Sequence, residues 1–324
     1  MRGRLTLSPR AYALVAWAAL ASLALIVFSG AGVRLTGSGL GCPDWPRCGG
    51  TFLPELSLHV FVEYGNRVLS TLVGLVSLAA GLLVFRRRPF RRDLVAPALV
   101  LPVGVLAQGM LGAATVLLDL SWPVVIAHYL LSMALLVAAV TLVWRVHSDP
   151  GAPAPAMTDR PIGFATRALV AYGAVVITAG TFATAAGPHA GGAGTSDVVE
   201  RLDAWGPGTL RSLIHTHGHL AAVLGGSAVI LWAFARGREA PRRLLAPLTA
   251  VCVLVAVQGT LGLIGYYNAL PAGVVWAHAA LPALLWSALV WSWLAAGRPA
   301  AQRTGSRTRR WRTRTRKSRS GAWA

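Results

Sequence analysis

The chain has 324 residues, of which 55% are hydrophobic and only 13% are charged. A soluble globular domain carries about twice that charged fraction, which excludes an ordinary soluble fold. The formal net charge of +19 suggests a nucleic-acid partner, but the arginines are confined to the tail and to short blocks between apolar runs. Blocks of that kind orient membrane proteins, so we expect lipid and no nucleic acid around the chain.

Eight segments contain the roughly 20 apolar residues that a membrane-spanning helix needs. They predict an all-α polytopic membrane protein. The first segment has a basic flank, but it exceeds the ~7–15-residue apolar core of a signal peptide, so we interpret it as a retained helix. The predicted spans are residues 11–33, 60–85, 94–117, 123–145, 165–186, 210–235, 244–266 and 272–296.

The basic residues between the spans predict the orientation. With eight spans, every arginine-rich segment falls on one side together with both termini, and this side is therefore cytoplasmic. The other side holds the loop 34–59, two short turns and the Gly-rich segment 187–209. The arginines that orient the spans are Arg2, Arg4, Arg10, Arg86, Arg87, Arg88, Arg91, Arg92, Arg145, Arg160, Arg236, Arg238, Arg242, Arg243 and those of the tail.

An internal repeat with an offset of 150 residues divides the chain. Gln108 matches Gln258, and His128 matches His278. Because each half has an even number of spans, the two repeats share one orientation in the membrane. We predict two pseudo-symmetric four-helix bundles, residues 1–146 and 162–297, with a cytoplasmic linker at 147–161 and a basic cytoplasmic tail at 298–324.

Histidines stand near the starts of spans four, six and eight, all on one side of the membrane. Ionisable residues within spans are costly and mark candidate sites. One histidine from each of two neighbouring helices can hold a haem between them. The repeat favours His128 and His278 as ligands. The separation of His215 from His278 is 63 residues and that of Asn66 from His128 is 62, which favours His215 as the counterpart of position 66.

Other interpretations of the histidines stay open. A single membrane histidine often only joins helices by a hydrogen bond. Zinc is usually bound by about four ligands close together, and histidines that are divided between two bundles do not fit such a site well. His215 and His219 share a helix face, and His217 points elsewhere. We expect His59, His147 and His189 to be solvated, because they lie in loops or at helix ends.

Span two opens with Glu63, Asn66 and Arg67 in the segment EYGNR. A carboxylate at this depth must be paired, protonated or functional. Arg67 or Arg34 could pair with Glu63, and a simple ion pair at the helix start is an alternative to a catalytic role.

Cys42 and Cys48 enclose five residues, two of them proline, in a loop on the side opposite the basic segments. Prolines favour a tight turn that a disulfide could close. Such a thiol pair could be a loop staple or a redox relay. Cys252 lies inside an apolar run, where we expect it to be inert packing.

These motifs resemble the haem A synthase family, in its bacterial form with a two-cysteine loop. The resemblance covers residues 11–296, and four features carry it: GVRLTGSGLGCPDWPRC after span one, EYGNR, the GPHAG loop after span five, and the helix-start histidines. Members of the family oxidise a methyl group of haem O to a formyl group, which gives haem A for aa3-type cytochrome oxidases. The resemblance implies a multi-pass protein of the bacterial plasma membrane.

The resemblance also implies roles for particular residues. The iron of a haem b cofactor would be bound by His215 and His278. The substrate haem O would lie in the first half, with Glu63 and His128 as catalytic residues and the His128 imidazole as a ligand of its iron. Cys42 and Cys48 would form the disulfide of the family's loop, and Asn66 and Arg67 would contact bound haem.

One residue departs from the family pattern, which usually has histidine at the position of Asn66. Asparagine cannot replace imidazole as a strong iron ligand, so we expect His128 alone to hold the substrate iron. Haem O synthase, oxidase assembly factors and a second copy of the chain are partners that the resemblance suggests; it leaves the electron donor open.

Two alternatives belong to other functional classes. A dihaem b-type membrane cytochrome would transfer electrons without oxygenation chemistry, but Asn66 argues against two fully ligated haems. A transporter built on parallel repeats would have broken helices in the middle of the membrane, whereas the polar residues cluster at one interface.

Overall fold

The computed structural model describes residues 6–148, 159–192 and 199–297. Within these ranges it contains eight apolar helical segments long enough to cross a membrane and no β-strand, which confirms an all-α polytopic membrane protein. Most of the linker and the whole basic tail lie outside the described residues, as do Arg2 and Arg4. The long helices are α1 (Pro9–Leu35), α2 (Leu58–Leu83), α3 (Val95–Leu117), α4 (Trp122–Val146), α5 (Arg160–Ala186), α6 (Thr209–Gly237), α7 (Arg242–Tyr267), α8 (Ala272–Ala280) and α9 (Pro282–Ala295).

Several helix starts follow local rules of the sequence. The Ser8 hydroxyl accepts a hydrogen bond of 3.2 Å from the N–H of Ala11, and Pro9 occupies the first helical position of α1. Both features satisfy the free donors at a helix start. Ser57 caps α2 in the same manner through the N–H of Val60 at 3.4 Å. The spans therefore begin within a few residues of their predicted positions.

The eighth span is divided into α8 and α9 at Leu281. Pro282 has no N–H, so the carbonyl of His278 four residues earlier loses its helical donor. The Gln258 side chain donates to that carbonyl instead, at 3.2 Å. The break is thus a proline interruption whose freed carbonyl is satisfied by a neighbouring helix.

The helices pack in two groups. In the first, α1 contacts α2 and α4, and α3 lies between α2 and α4; in the second, α5 contacts α6 and α9, and α7 lies against α6, α8 and α9. The groups meet where α1 packs on α8 and α4 packs on α9. Trp286 in α9 donates its indole N–H to the carbonyl of Met133 in α4, at 2.9 Å across this boundary.

Contacts at repeat-related positions support two equivalent halves, although that division stays a prediction. Gln108 donates to the carbonyl of His128 at 3.0 Å, just as Gln258 donates to that of His278. Leu120 and Leu270, which end the turns after α3 and α7, both have positive φ, at 58° and 59°. Because non-glycine residues seldom adopt that conformation, its recurrence after 150 residues indicates a shared backbone design.

Candidate functional site

The candidate ligands His128, His215, His217, His219 and His278 lie in the first half of their spans, on the side where α2, α4, α6 and α8 begin. We call this membrane side the histidine side. The basic segments Arg86–Arg92 and Arg236–Arg243 lie on the opposite side, because they follow the ends of α2 and α6. The polar residues of the two groups of helices therefore occupy comparable depths.

His217 and His278 face each other inside the second group of helices. Their ring centroids are 6.0 Å apart and the ring planes are nearly perpendicular, at 88°. The Nδ1 atom of His217 lies 3.1 Å from the carbonyl oxygen of Val176, and Nδ1 of His278 lies 3.1 Å from that of Gln258. A carbonyl oxygen can only accept, so each Nδ1 carries a proton and each Nε2 keeps its lone pair. This tautomer is the one in which an imidazole is fixed for binding a metal through Nε2.

Glycines make room for both rings. A Cβ atom at Gly180 in α5 would lie 2.9 Å from Cε1 of His217. A Cβ atom at Gly262 in α7 would lie 3.3 Å from Cε1 of His278. Real Cβ atoms do not approach other heavy atoms as closely as the first distance. Glycine at these positions therefore lets the two imidazoles pack directly against neighbouring helix backbones.

His215 does not lie opposite His278, contrary to the sequence expectation. It is exposed on the outer face of α6, where its Nε2 lies 3.0 Å from the hydroxyl oxygen of Tyr266. His219 shares this exposed face, and its ring is 6.4 Å from that of His215. Residues two positions apart on a helix point in different directions, so turning His217 inward turns His215 outward.

The physical reason is a one-residue change in the offset between α2 and α6. The buried residues Val73 and Ala80 of α2 correspond to the buried Leu224 and Leu231 of α6, and each pair is 151 residues apart. The same offset places Asn66 on His217. The apolar positions of α2 and α6 in the sequence already indicate the 151-residue offset. The separations between histidines alone favoured His215.

The first group of helices has a related but incomplete arrangement. His128 lies against Gly112, whose absent Cβ would be 3.6 Å from the ring atom Cε1. Unlike His278, it has no hydrogen bond to the backbone at Nδ1, which is buried without a partner among the described residues. The side-chain oxygen of Asn66 is also buried and without a partner there. Nδ1 of His128 and the side-chain oxygen of Asn66 thus have no partner among the described residues, whereas both Nδ1 atoms of the His217–His278 pair are hydrogen-bonded.

Glu63 and Arg67 form an ion pair at the start of α2. Glu63 is only 4% exposed, and its Oε1 atom accepts a hydrogen bond of 2.5 Å from Nη2 of Arg67. Its Oε2 atom accepts a second hydrogen bond from the backbone N–H of Cys42 at 2.7 Å. Both carboxylate oxygens are therefore held in fixed positions. The ion pair considered from the sequence exists, and it is anchored to the cysteine loop as well.

The cysteine loop, residues 42–48, wraps around the guanidinium of Arg67. Nη1 donates to the carbonyls of Asp44 and Arg47 at 2.7 and 2.8 Å, and Nη2 donates to the carbonyl of Cys42 at 3.0 Å. Cys42 and Cys48 are buried and joined by a disulfide with an S–S distance of 1.97 Å. These N–H groups of Arg67 all donate to the loop or to Glu63. The side chain therefore holds the carboxylate and the loop in position.

Asp44 organises the far end of the loop. Its carboxylate accepts hydrogen bonds from the N–H groups of Gly49 and Gly50, at 2.6 and 2.8 Å. Both glycines have positive φ, 63° and 76°, which other residues adopt with difficulty. The N–H of Gly50, that of Gly49 and the charge of Arg67 hold the pKa of Asp44 below its ordinary value.

Arg34 joins the two groups of helices on the histidine side, where it does not pair with Glu63. Its Nε donates to the carbonyl of His189 at 2.8 Å, and Nη2 donates to that of Thr184 at the end of α5, at 3.0 Å. A cation there complements the partial negative charge of a helix C-terminus. Nε2 of His189 lies 2.8 Å from the carbonyl oxygen of Leu270. The sequence prediction that His189 is simply solvated is therefore wrong.

The structure is that of a polytopic helical membrane protein in which two partly buried imidazoles, each held by a backbone carbonyl, face each other between the helices. A family model described as cytochrome oxidase assembly protein (COX15-CtaA) matches residues 13–290. The chain belongs to this family. The match covers all eight spans except the ends of the first and the last.

Curated relatives carry one common name. The chain is similar to "Heme A synthase" of Bacillus licheniformis, with 26% identity over 273 residues that cover 80% of this chain and 87% of that protein. It is similar to "Heme A synthase" of Symbiobacterium thermophilum, with 44% identity over 98 residues, 30% of this chain and 32% of that protein. A third protein of that name, from Alkalihalophilus pseudofirmus, is 29% identical over 127 residues, 39% and 43% of the two chains.

Proposed function

We propose that the protein is a haem A synthase, which oxidises a methyl group of haem O to a formyl group for aa3-type cytochrome oxidases. Membership in the family and the names of the relatives support this proposal. The structural observation that carries it is the His217–His278 pair, whose rings face each other at 6.0 Å with both Nδ1 atoms bound to backbone carbonyls.

The second half fits a haem b cofactor. The two Nε2 lone pairs are free and lie on helices that face each other, as bis-histidine ligation of haem iron requires. We propose that His217 and His278 would hold the haem iron, in place of the pair His215 and His278 that the histidine spacing favoured. When bound, haem b supplies single electrons by cycling between ferric and ferrous iron. The carbonyls of Val176 and Gln258 fix the rings and raise the basicity of the ligating nitrogens.

The first half is the proposed site of the substrate haem O. His128 would bind its iron, because its ring lies at the position that matches His278. Asn66 replaces the second imidazole of the pair, and its amide can hydrogen-bond to the substrate or to oxygen beside it. In the first half only His128 would bind the substrate iron, so one side of that iron would have no protein ligand. In the second half both histidines would bind iron, which suits electron transfer.

Glu63 is the proposed catalytic carboxylate. A carboxylate held by the N–H of Cys42 and by Arg67 cannot rotate away from the reacting group, and it can accept a proton or stabilise positive charge there. Arg67 is a positioning residue, since its donors point to Glu63 and to the cysteine loop. Ile214 stands at the matching position of α6, so this acid belongs to one half alone.

We infer that the protein lies in the bacterial plasma membrane with both termini in the cytoplasm, because its basic linkers share one side. The histidine side, with the disulfide, would then face the oxidising compartment. Haem O synthase and oxidase assembly factors are the proposed partners, and a homo-oligomer is compatible with the apolar exterior.

The test is haem extraction and chromatography from a bacterial host that makes no haem A of its own and expresses this chain with a haem O synthase. We expect haem A from the unchanged chain and from Glu55→Gln. Glu55 is an exposed carboxylate between the cysteine loop and α2, so this variant is the control. Glu63→Gln should accumulate haem O, with production of haem A lowered roughly 100-fold or more. Haem O alone from the unchanged chain would contradict the proposal.

A further inference from the structure

A polar cluster faces the lipid on the outer side of α6 and α7, directly behind the His217–His278 pair. It consists of His215 and His219 in α6 and Tyr266 and Tyr267 at the end of α7. His215 and His219 are exposed, and the exposed fractions of Tyr266 and Tyr267 are 40% and 78%. Imidazoles on a lipid-facing surface are costly, so they point to a function.

A hydrogen bond organises the cluster. Nε2 of His215 and the hydroxyl oxygen of Tyr266 are 3.0 Å apart, and the two rings are 5.6 Å apart in an edge-on arrangement. When the tyrosine donates to Nε2, its oxygen keeps two lone pairs that can accept from an incoming O–H group. Tyr267 stacks edge-on against Tyr266, at 5.3 Å, and extends the aromatic surface toward the lipid.

The cluster lies close to the proposed electron-carrying site. His215 is two residues from His217 on the same helix, roughly 3 Å further along the axis. Tyr266 is one helical turn beyond Gly262, the residue whose backbone packs on His278. A molecule bound at His215 and Tyr266 would therefore approach the His217–His278 site from the membrane.

We propose that His215 and Tyr266 bind a lipid-soluble hydroquinone that supplies electrons to the His217–His278 site. This inference rests on the proposed function, in which each hydroxylation with dioxygen consumes two electrons and two protons. A donor at a lipid-facing site must dissolve in the bilayer, and a hydroquinone offers a phenolic O–H to the tyrosine oxygen and a flat ring to the aromatic surface.

One hydroquinone that is oxidised to a quinone gives up two electrons and two protons. The electrons would be taken up one at a time by the haem that His217 and His278 would hold, and they would supply one hydroxylation with dioxygen. One proton leaves the O–H group that is hydrogen-bonded to the Tyr266 oxygen, the other leaves the O–H group at the opposite end of the ring, and both go to water. The quinone then leaves the site.

Anaerobic stopped-flow absorbance on the full-length, haem-loaded protein in nanodiscs tests the proposal. Decylubiquinol is the probe, and the appearance of the ferrous haem b band gives the rate. Tyr266→Phe and His215→Gln should slow this reduction about tenfold or more, whereas Tyr172→Phe, a control in α5 outside the cluster, should keep the rate of the unchanged chain. Reduction by dithionite, which needs no binding site, should reach the same final spectrum in all four proteins.

Equal rates with decylubiquinol in all four proteins would overturn the proposal. So would loss of the haem b spectrum itself in Tyr266→Phe or His215→Gln, because the pair would then hold the haem. An unchanged chain without haem b would instead contradict the proposed function, and the two failures are therefore distinguishable.

Discussion

The hydroxyl of Tyr129 donates a hydrogen bond of 3.1 Å to the carbonyl oxygen of Ala279, a residue at the repeat-related position 150 places later. Tyr129 directly follows His128, and Ala279 directly follows His278. The two helices that carry the proposed iron ligands therefore touch beside those ligands. In the proposed function electrons would pass between the two halves, and this hydrogen bond joins the helices beside the two proposed sites.

The identity of the haem b ligands can be tested by a pair of substitutions in one turn of α6. We expect His217→Ala to lose nearly all haem b, since no other described side chain faces His278 in its place. His215→Ala should keep it, because that ring points to Tyr266. The pyridine haemochrome spectrum of purified protein measures the haem content. Loss of haem b in His215→Ala alone would restore the ligand assignment that the histidine spacing suggested.

The glycine beside His217 offers a test that leaves both ligands in place. In Gly180→Ala the new methyl group would lie 2.9 Å from the unshifted ring, which must move. Such overpacking costs about 1–3 kcal/mol, and we expect haem b to be bound more weakly. Gly30→Ala is the matched control, because a Cβ atom at this repeat-related position meets nothing within 4 Å. Haem content and melting temperature check both variants, and equal losses would contradict the packing argument.

Asn66→His should convert the substrate half into a second bis-histidine site. Position 66 corresponds to His217, and His128 corresponds to His278, so the new imidazole would fill the open face of the substrate iron. We expect a second low-spin haem signal in electron paramagnetic resonance spectra of protein loaded with haem O, and less haem A in cells. A spectrum identical to that of the unchanged chain would show that position 66 does not reach the iron.

The disulfide should stabilise the loop that holds Glu63. Closing such a short loop is worth about 2 kcal/mol, so the double variant Cys42→Ser, Cys48→Ser should have a lower free energy of unfolding. It should also make less haem A, because the N–H of Cys42 and three loop carbonyls position Glu63 and Arg67. Cys252→Ser, which removes a free thiol within α7, is the control. Full haem A production by the double variant would argue against positioning by the loop.

Acid should loosen the same loop. The pKa of Asp44 is lower in the folded protein than its ordinary value, so its contribution to stability is complete above the ordinary value of about 4. That contribution disappears as the pH falls through the lowered value. Limited proteolysis of this segment by pepsin, which is active in acid, should show cleavage near Phe52 increasing in the unchanged chain as the pH is lowered below about 4. Asp44→Asn should be cleaved readily at every pH in this range, and parallel pH profiles would contradict the role of Asp44.

The sequence predicted the helices well because length and apolar content define a span, and the observed bounds differ from the predicted ones by a few residues. The break at Leu281 was not predicted, although Pro282 marks it. Pro282 alone does not distinguish a kinked helix from a broken one. Which of the two forms depends on the donors that neighbouring helices offer to the freed carbonyls.

The candidate site was predicted less completely. The Glu63–Arg67 ion pair and the Cys42–Cys48 disulfide are present, as considered from the sequence, but their contact with each other was not predicted. The ligand role of His215 stays a prediction, but its side chain lies beside Tyr266, and His217 faces His278 instead. One additional residue rotates a helix by about 100°, and a count of separations between histidines is too coarse to detect such a change. The contacts of Arg34 with His189 and of His189 with Leu270 join residues 155 and 81 positions apart, which no local pattern contains.

The number of low-spin haems per chain tests the central claim most directly, namely that one half holds a bis-histidine haem b and the other an open site for haem O. Electron paramagnetic resonance of the full-length protein, purified with both haems bound, measures it alongside total haem. We predict one low-spin haem per chain, absent in His278→Ala, and a second haem in a different ligation state. Two low-spin haems in the unchanged chain would contradict the claim and favour a dihaem electron-transfer cytochrome.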